Sequence, residues 1–334
     1  MTARLLLLVA GLVASLALAE TVLLCIPVLE PNPRTWVGDF PDRPSEHLVP
    51  DPEIGWRMRP NRDRVVSGAE YHVRYRSNDQ GFRDERAGDS RAKRRAIALV
   101  GDSFTFGVGV SFDQTYGALL ESRLPETAVH NFALAAYGLD QMWRVVSTVA
   151  IPIRPDLVIV AFISDDFTRS LTVFRNDVGF NKPTFVLRGG ALVRQTRYDG
   201  PSGWFRFLER HSRLWAGAKE AVRLLGHHFG VGPWWDLNQA ILDAIRAECR
   251  EAGTQVLFVY LPTAKLRTFP ALPVYMERTG ADFLDLGNQP LGAPGMLHYP
   301  ADGHPNPEGH RRVSDALLAW IAREMPELAS RAAQ

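Results

Sequence analysis

The residues best suited to chemistry in this 334-residue chain sit in four short clusters. Gly101-Asp102-Ser103-Phe104 follows the apolar run Ala96–Val100, and a loop from Asn131 to Gly138 (NFALAAYG) follows a second run. Ser164-Asp165-Asp166-Phe167 follows Leu157–Ile163, and Asp302-Gly303-His304-Pro305-Asn306 precedes the last helical stretch. A serine hydroxyl is a poor nucleophile at neutral pH and needs a base within hydrogen-bond reach. A histidine can take that proton and return it to a leaving group, while a carboxylate holds the imidazole in one tautomer. Singly, each cluster has a plainer use. Gly-Asp-Ser is a common strand-to-helix turn whose Asp or Ser caps the helix. Asp-Gly-His-Pro-Asn is a turn leading into a helix with Pro near its start. Asp165 and Asp166 serve equally as a cap or a solvated loop. His227-His228 has no Cys or carboxylate at ligand spacing and reads as surface or loop, so no metal is expected. His298 and His310 are rivals to His304, but His310 falls inside the final helix and His298 lacks the Pro-Asn turn.

The surrounding elements give these clusters a common location. Ala96–Val100, Leu157–Ile163 and Gln255–Leu261 are continuous apolar runs, as in strands buried on both faces. Val129–Ala133 and Asp282–Leu286 read as two further strands. Helical patterns cover Gln114–Arg123, Gln141–Ala150, Asn238–Glu251 and Pro307–Arg323. This alternation predicts an α/β fold, a three-layer α/β/α sandwich with a mainly parallel five-stranded sheet. Ligands in such folds bind at the carboxyl ends of the strands, where the first three clusters fall. Residues 168–235 break the rhythm and read as an insertion over the sheet. Its Arg188, Arg194, Arg197 and Arg206, with Trp204, Phe205, Phe207 and Trp215, either shape an acceptor site or pack a cap. The domain is expected over 96–328. Residues 31–95 read as a linker and N-terminal extension: Pro-rich at first, then an alternating strand at Tyr71–Arg76, a turn at Ser77–Gly81 and a solvated basic stretch at Arg91–Arg95.

Composition excludes several classes. With 46% hydrophobic and 22% charged residues, the chain is not mainly disordered, collagen-like or a coiled coil. Its 38 basic and 37 acidic residues leave a net charge of +1, which gives no field to attract nucleic acid. Two cysteines exclude a disulfide framework and a Cys-based zinc ribbon, and Cys249 reads as a helix-face core residue. The membrane-like character is concentrated in residues 1–30. An apolar run follows Arg4 and continues past Glu20 as TVLLCIPVL. Two readings stay open: a signal peptide cleaved after Ala19, or an uncleaved anchor from Arg4 to Leu29, long enough for a span of about 20 residues. The renewed run after Glu20 favours the anchor, which must then carry Glu20, with Cys25 in or near the membrane. Leu24 is too large for lipoprotein processing at Cys25. Both readings export the body: it is inner-membrane-anchored and faces the periplasm or the outside, or it is secreted.

In their joint order, the four clusters resemble the SGNH (GDSL-type) hydrolase family over roughly residues 96–325. Gly101-Asp102-Ser103 resembles the family's first block, Gly138 the second, and Asp302 with His304 the last. Residues 52–84, with DPEIGWRMRPN and YRSNDQGFRDE, resemble the extension of membrane-anchored bacterial members. The resemblance implies a flavodoxin-like sheet, Ser103 as nucleophile, His304 as base and Asp302 as the triad acid. It also implies an oxyanion site built from the Ser103 and Gly138 amides, and no cofactor. Two departures bear on that site. The third block's oxyanion-donating Asn is here Asp165, and an ionised carboxylate cannot donate. Loss of one such donor costs on the order of 10²–10³ in rate. Asp165 is therefore held protonated by burial, or turned aside, or the site is degenerate. The last block reads Asp-x-His where Asp-x-x-His is more common, which shifts the acid by one residue.

Two functions follow. One is an exported serine esterase acting on O-acyl, chiefly O-acetyl, groups of an envelope glycan or lipid, or an acyltransferase with a sugar hydroxyl as acceptor. The partners are then an acylated carbohydrate or lipid and, through the N-terminal segment, the membrane. The other is a non-catalytic envelope protein that binds a glycan or a protein on the same fold.

Overall fold

A computed structural model of the chain describes residues 2–23, 45–84, 93–175, 178–195, 208, 212–263, 269–289, 291–292 and 294–329. Residues 24–44, with Cys25 and the end of the expected anchor, lie outside the described residues. So do 85–92 with Arg91, and 196–207 with Arg197, Trp204, Phe205, Arg206 and Phe207.

The apolar N-terminal run forms helix α1 (Thr2–Leu23). Among the described residues, no helix is long and apolar enough to cross a membrane. The extension follows as two antiparallel hairpins, β1 (Leu48–Asp51) with β2 (Gly55–Met58) and β3 (Asp63–Ser67) with β4 (His72–Arg76). Next come β5 (Arg95–Gly101), α2 (Ser103–Phe106), α3 (Tyr116–Arg123), β6 (Thr127–Asn131), α4 (Leu139–Val145), β7 (Leu157–Phe162) and α5 (Ser164–Arg169). The expected insertion contributes two short hairpins, β8 (Phe174–Arg175) with β9 (Phe180–Asn181) and β10 (Thr184–Arg188) with β11 (Ala191–Gln195). Helices α6 (Arg213–Phe229) and α7 (Pro233–Glu251) lead to β12 (Gln255–Tyr260), α8 (Ala271–Thr279), β13 (Phe283–Asp285) and the closing α9 (Pro307–Glu324).

Five strands form one sheet in the order β13-β12-β7-β5-β6, with every neighbouring pair parallel. The alternation of side chains explains why the runs are apolar throughout. Ala98, Val100, Val158, Val160, Phe162 and Phe258 join a core that includes residues of α4 and α7. Their neighbours Ile97, Leu99, Leu157, Ile159 and Leu257 join a second core that includes residues of α3 and α9. Cys249 is fully buried on α7, and burial pushes its thiol up to about 12.

One strand ends earlier than the sequence pattern, for an identifiable reason. The second strand stops at Asn131 because its side chain turns back, Oδ1 accepting from Ala133 N at 3.0 Å and Nδ2 donating to Thr105 O at 2.8 Å. The extension packs into the body: Ile54, Trp56, Met58 and Phe82 belong to the first core. The insertion is fastened from below by Lys182, whose ammonium pairs with Asp140 of α4, both side chains fully buried. Burying either charge alone would cost on the order of several kcal/mol, a penalty that pairing offsets.

Glu20 has a local role. Its carboxylate caps the N-terminus of α6, accepting from Arg213 N at 2.5 Å, Leu214 N at 3.0 Å and Ser212 Oγ at 2.7 Å. A carboxylate is favoured there because the first amides of a helix lack intrahelical partners.

Candidate active site

The turn that carries Ser103 forms where β5 ends. Asp102 is the N-cap of α2, Oδ1 accepting from Phe104 N at 2.9 Å, and this places Ser103 at the first helical position. On the other side of the sheet's carboxyl edge, Asp302-Gly303-His304 forms a tight turn before α9, whose N-cap is Asn306. His304 Nε2 lies 2.9 Å from Ser103 Oγ, and His304 Nδ1 lies 2.9 Å from Asp302 Oδ1. The imidazole packs on Phe104 with ring centroids 5.2 Å apart. Ser103 is 7% exposed, while His304 and Asp302 lie nearer the surface. The three residues thus form one hydrogen-bonded line, with the serine at its inner end.

The rival histidines are bonded to other groups. His298 is buried with Nε2 3.0 Å from Pro262 O. His310 is fully buried in α9, with Nδ1 accepting from Tyr116 N at 3.2 Å. Burial first, then the positive field of Arg83, pushes its imidazole down to about 3. His228 is exposed on α6.

Gly138 and Asp165 are not brought to Ser103 by any described hydrogen bond. The Gly138 N–H donates to Gln141 Oε1 at 3.2 Å, inside the cap of α4. Asp165 lies on α5 with its side chain 58% exposed and its carboxylate 4.0 Å from the Arg169 guanidinium. The buried carboxylate is its neighbour Asp166, whose Oδ2 accepts from Ile163 N at 2.9 Å. Arg169 Nη1 donates to Asp166 Oδ1 at 2.5 Å, to Asp102 Oδ2 at 3.1 Å and to Tyr137 O at 3.3 Å. One guanidinium therefore joins the cap of α2, the loop before Gly138 and α5. Burial, then repulsion from Asp102, raises Asp166 well above the usual carboxylate range. The two aspartates in turn hold Arg169 above its ordinary value, against the pull of burial.

A model of the GDSL-like lipase/acylhydrolase family matches residues 99–312, which include Ser103, the Arg169 cluster and His304. The chain belongs to that family. No curated protein matches it significantly. It is similar to a psychrotrophic esterase EstA from Pseudoalteromonas sp., with 12% identity over 70% of this chain and 99% of that one, TM-score 0.43. It is also similar to a member of the lipolytic G-D-S-L family from Veillonella parvula, with 11% identity over 69% and 99% of the two chains, TM-score 0.40. A third, a GDSL-like lipase from Bacteroides thetaiotaomicron, shows 10% identity over 69% and 89%, TM-score 0.41.

The site of this GDSL-family chain draws on residues that the motifs do not mark. Arg83 of the extension is 1% exposed and braces the loop after α2, donating to Phe106 O at 3.1 Å, Gly107 O at 2.8 Å and Val110 O at 2.9 Å. Its guanidinium lies 4.4 Å from the Tyr75 ring centroid. An arginine after a turn cluster carries no local signal of burial, so only the fold reveals it.

Gly138 has a steric role whatever its amide does. A Cβ there would approach Arg169 Cβ to 2.8 Å and Ser170 N to 2.9 Å. Gly138→Ala is expected to push α4 away from α5 and destabilise the protein by about 1–3 kcal/mol. A urea midpoint that equals wild type would show that the two helices part freely.

Proposed function

We propose that the chain is an exported serine ester hydrolase that removes O-acyl, chiefly O-acetyl, groups from an envelope glycan or lipid. The observation that carries this reading is the line Asp302–His304–Ser103, with 2.9 Å at each step. Ser103 Oγ attacks the acyl carbon as His304 Nε2 takes its proton. Asp302 holds Nδ1 and stabilises the imidazolium that forms. The proton then passes to the departing alcohol, leaving an acyl-serine. Water repeats the sequence in reverse, and a sugar hydroxyl in its place gives acyl transfer. The Ser103 N–H is the first oxyanion donor, and the Gly138 N–H joins it only when Gln141 releases it. The inner position of Ser103, with His304 and Asp302 nearer the surface, supports a short acyl group on a bulky carrier that stays outside.

In this reading the run from Arg4 to Leu29, of which α1 forms the first part, is the uncleaved anchor. It is supported by the helix running unbroken through Ala17–Leu23 and by Glu20 and Leu23 O bonding to the start of α6. The body then lies on the outer side of the membrane.

The test is covalent labelling of the full chain with an aryl fluorophosphonate, followed by a screen of short-chain acyl esters and acetylated glycans. Wild type should label and Ser103→Ala should not. A wild type silent at every pH overturns the esterase and favours the non-catalytic binder, to which the Gly138 and Asp165 placements also lend support.

Asp165→Asn is expected to leave kcat/KM near the wild-type value, because the side chain is turned outward and is not brought to Ser103. A fall in kcat/KM would assign the carboxylate a role of its own.

A further inference from the structure

The β3–β4 hairpin of the extension reaches the loop that carries the triad acid. Its turn presents Glu70 and Tyr71. Glu70 Oε2 accepts from the N–H groups of Ala301 at 2.8 Å and Asp302 at 3.4 Å. The Tyr71 ring packs on Tyr299 with centroids 5.5 Å apart. Burial first, then the neighbouring Asp302 carboxylate, holds the Tyr71 phenol well above its ordinary range. Tyr299 frames the same loop: its N–H donates to His304 O at 2.9 Å and its carbonyl accepts from Gly303 N at 2.7 Å.

The contact extends to the nucleophile turn. Tyr299 Oη donates to Gly109 O at 2.9 Å, and Gly109 N donates to Tyr75 Oη of β4 at 2.8 Å. Gly109 has φ +86°, and a Cβ there would come within 2.8 Å of the Tyr299 ring and 3.0 Å of the Tyr71 ring. Both the conformation and the space call for glycine. Hairpin, acid loop and the turn after α2 therefore meet at one backbone position.

Asp302 needs this support. Ala301 and Asp302 are exposed, so water competes for the carboxylate and for both amides. With only Gly303 between acid and base, the reach of Asp302 toward His304 depends on the backbone at 301–303.

We propose that Glu70 and Tyr71 are positioning residues for the triad acid: Glu70 fixes the backbone at Ala301 and Asp302, and Tyr71 donates to the Asp302 carboxylate, so that Oδ1 stays on His304 Nδ1. The extension is thereby a working part of the active site. The effect on rate rests on the serine-esterase reading; the hold on the loop does not. The titratable groups facing Asp302 are Glu70 and Tyr71 on the hairpin, Tyr75 on β4, and Tyr299 and His304 on its own loop.

Full-length E70A, E70Q and Y71F are compared with wild type in two ways. One is the pH dependence of the aryl fluorophosphonate labelling rate. The other is hydrogen–deuterium exchange of peptides covering Leu297–Asn306. E70A should speed exchange at Ala301 and Asp302 about tenfold, because the amides lose their acceptor. It should also slow labelling about tenfold through misplacement of the acid. E70Q keeps an accepting oxygen and should recover most of both losses. Y71F should move the pH of half-maximal labelling up by about half a unit, because Asp302 without its donor directs more charge at the imidazolium. A general loosening of the fold would not move that pH. Unchanged exchange in E70A overturns the role of Glu70, and a Y71F profile superimposed on wild type overturns that of Tyr71. A wild type that never labels sinks the esterase reading alone, and the exchange measurement still decides whether the hairpin holds the loop.

Discussion

Replacing Ser103 or His304 with Ala is expected to lower kcat/KM for an acyl ester by on the order of 10⁴ or more, with no matching loss of thermal stability. The separation of activity from stability follows from where the two side chains sit. Ser103→Ala removes one oxygen whose only described partner is His304, and the cap that forms α2 belongs to Asp102. His304 is partly exposed and packs on Phe104 from the outer side, so its loss opens no closed cavity. The two residues act as a unit, since the hydroxyl is reactive only while the base can take its proton. The double variant should therefore be no slower than the worse single one, and a double loss equal to the product of the singles would break the relay argument. Asp302→Ala should cost less, because the acid orients the imidazole and does not take the proton. Steady-state rates beside thermal melts of the same preparations decide the matter. Near-wild-type turnover in Ser103→Ala would remove the serine mechanism altogether.

Much of this was legible before any coordinates. Continuous apolar runs mark strands covered on both faces, and three of the four polar clusters sit at their carboxyl ends, so topology places Ser103 at that edge, while His304 reaches it from the loop before α9. The strand ends were less legible, because Asn131 ends β6 through side-chain bonds to Ala133 and Thr105 that no periodicity encodes. The adjacent acids Asp165 and Asp166 are indistinguishable in sequence. Helix geometry separates them, turning one outward and the other under the nucleophile cap. Glu20 illustrates the same limit: as a lone charge in an apolar run it reads as a burden on a membrane span, yet in the fold it caps α6. Arg83, Glu70 and Tyr71 were invisible for a simpler reason. Their partners lie far away in sequence, and those partners are mostly backbone atoms, which leave no mark on residue type.

The largest stability effect is expected at Arg169. Its side chain is 14% exposed, and it stands between Asp102 and Asp166, both fully buried. Arg169→Met keeps most of the volume and removes the charge, leaving two buried carboxylates without their cation. Breaking a buried pair in this way costs about 3–5 kcal/mol. The sign of the pH dependence follows from Asp166. Burial and the Asp102 charge raise its folded value, and Arg169 opposes them. A carboxyl raised in the folded state binds more protons there than in the unfolded chain, so stability falls as pH rises from about 3.9, the unfolded value, through the folded one. Without Arg169 the upward displacement grows. The variant should lie closest to wild type in mild acid, where Asp166 is protonated, and fall furthest behind at neutral pH and above. Urea midpoints at two pH values test this. A deficit that stays constant with pH would mean that Arg169 acts through packing and its bond to Tyr137 O, with little contribution from its charge. Because Asp102 caps the helix that carries Ser103, the same variant should also lose activity before it unfolds. Arg169→Lys should recover part of the stability, since it restores a cation to the two carboxylates on a stem of different shape and reach.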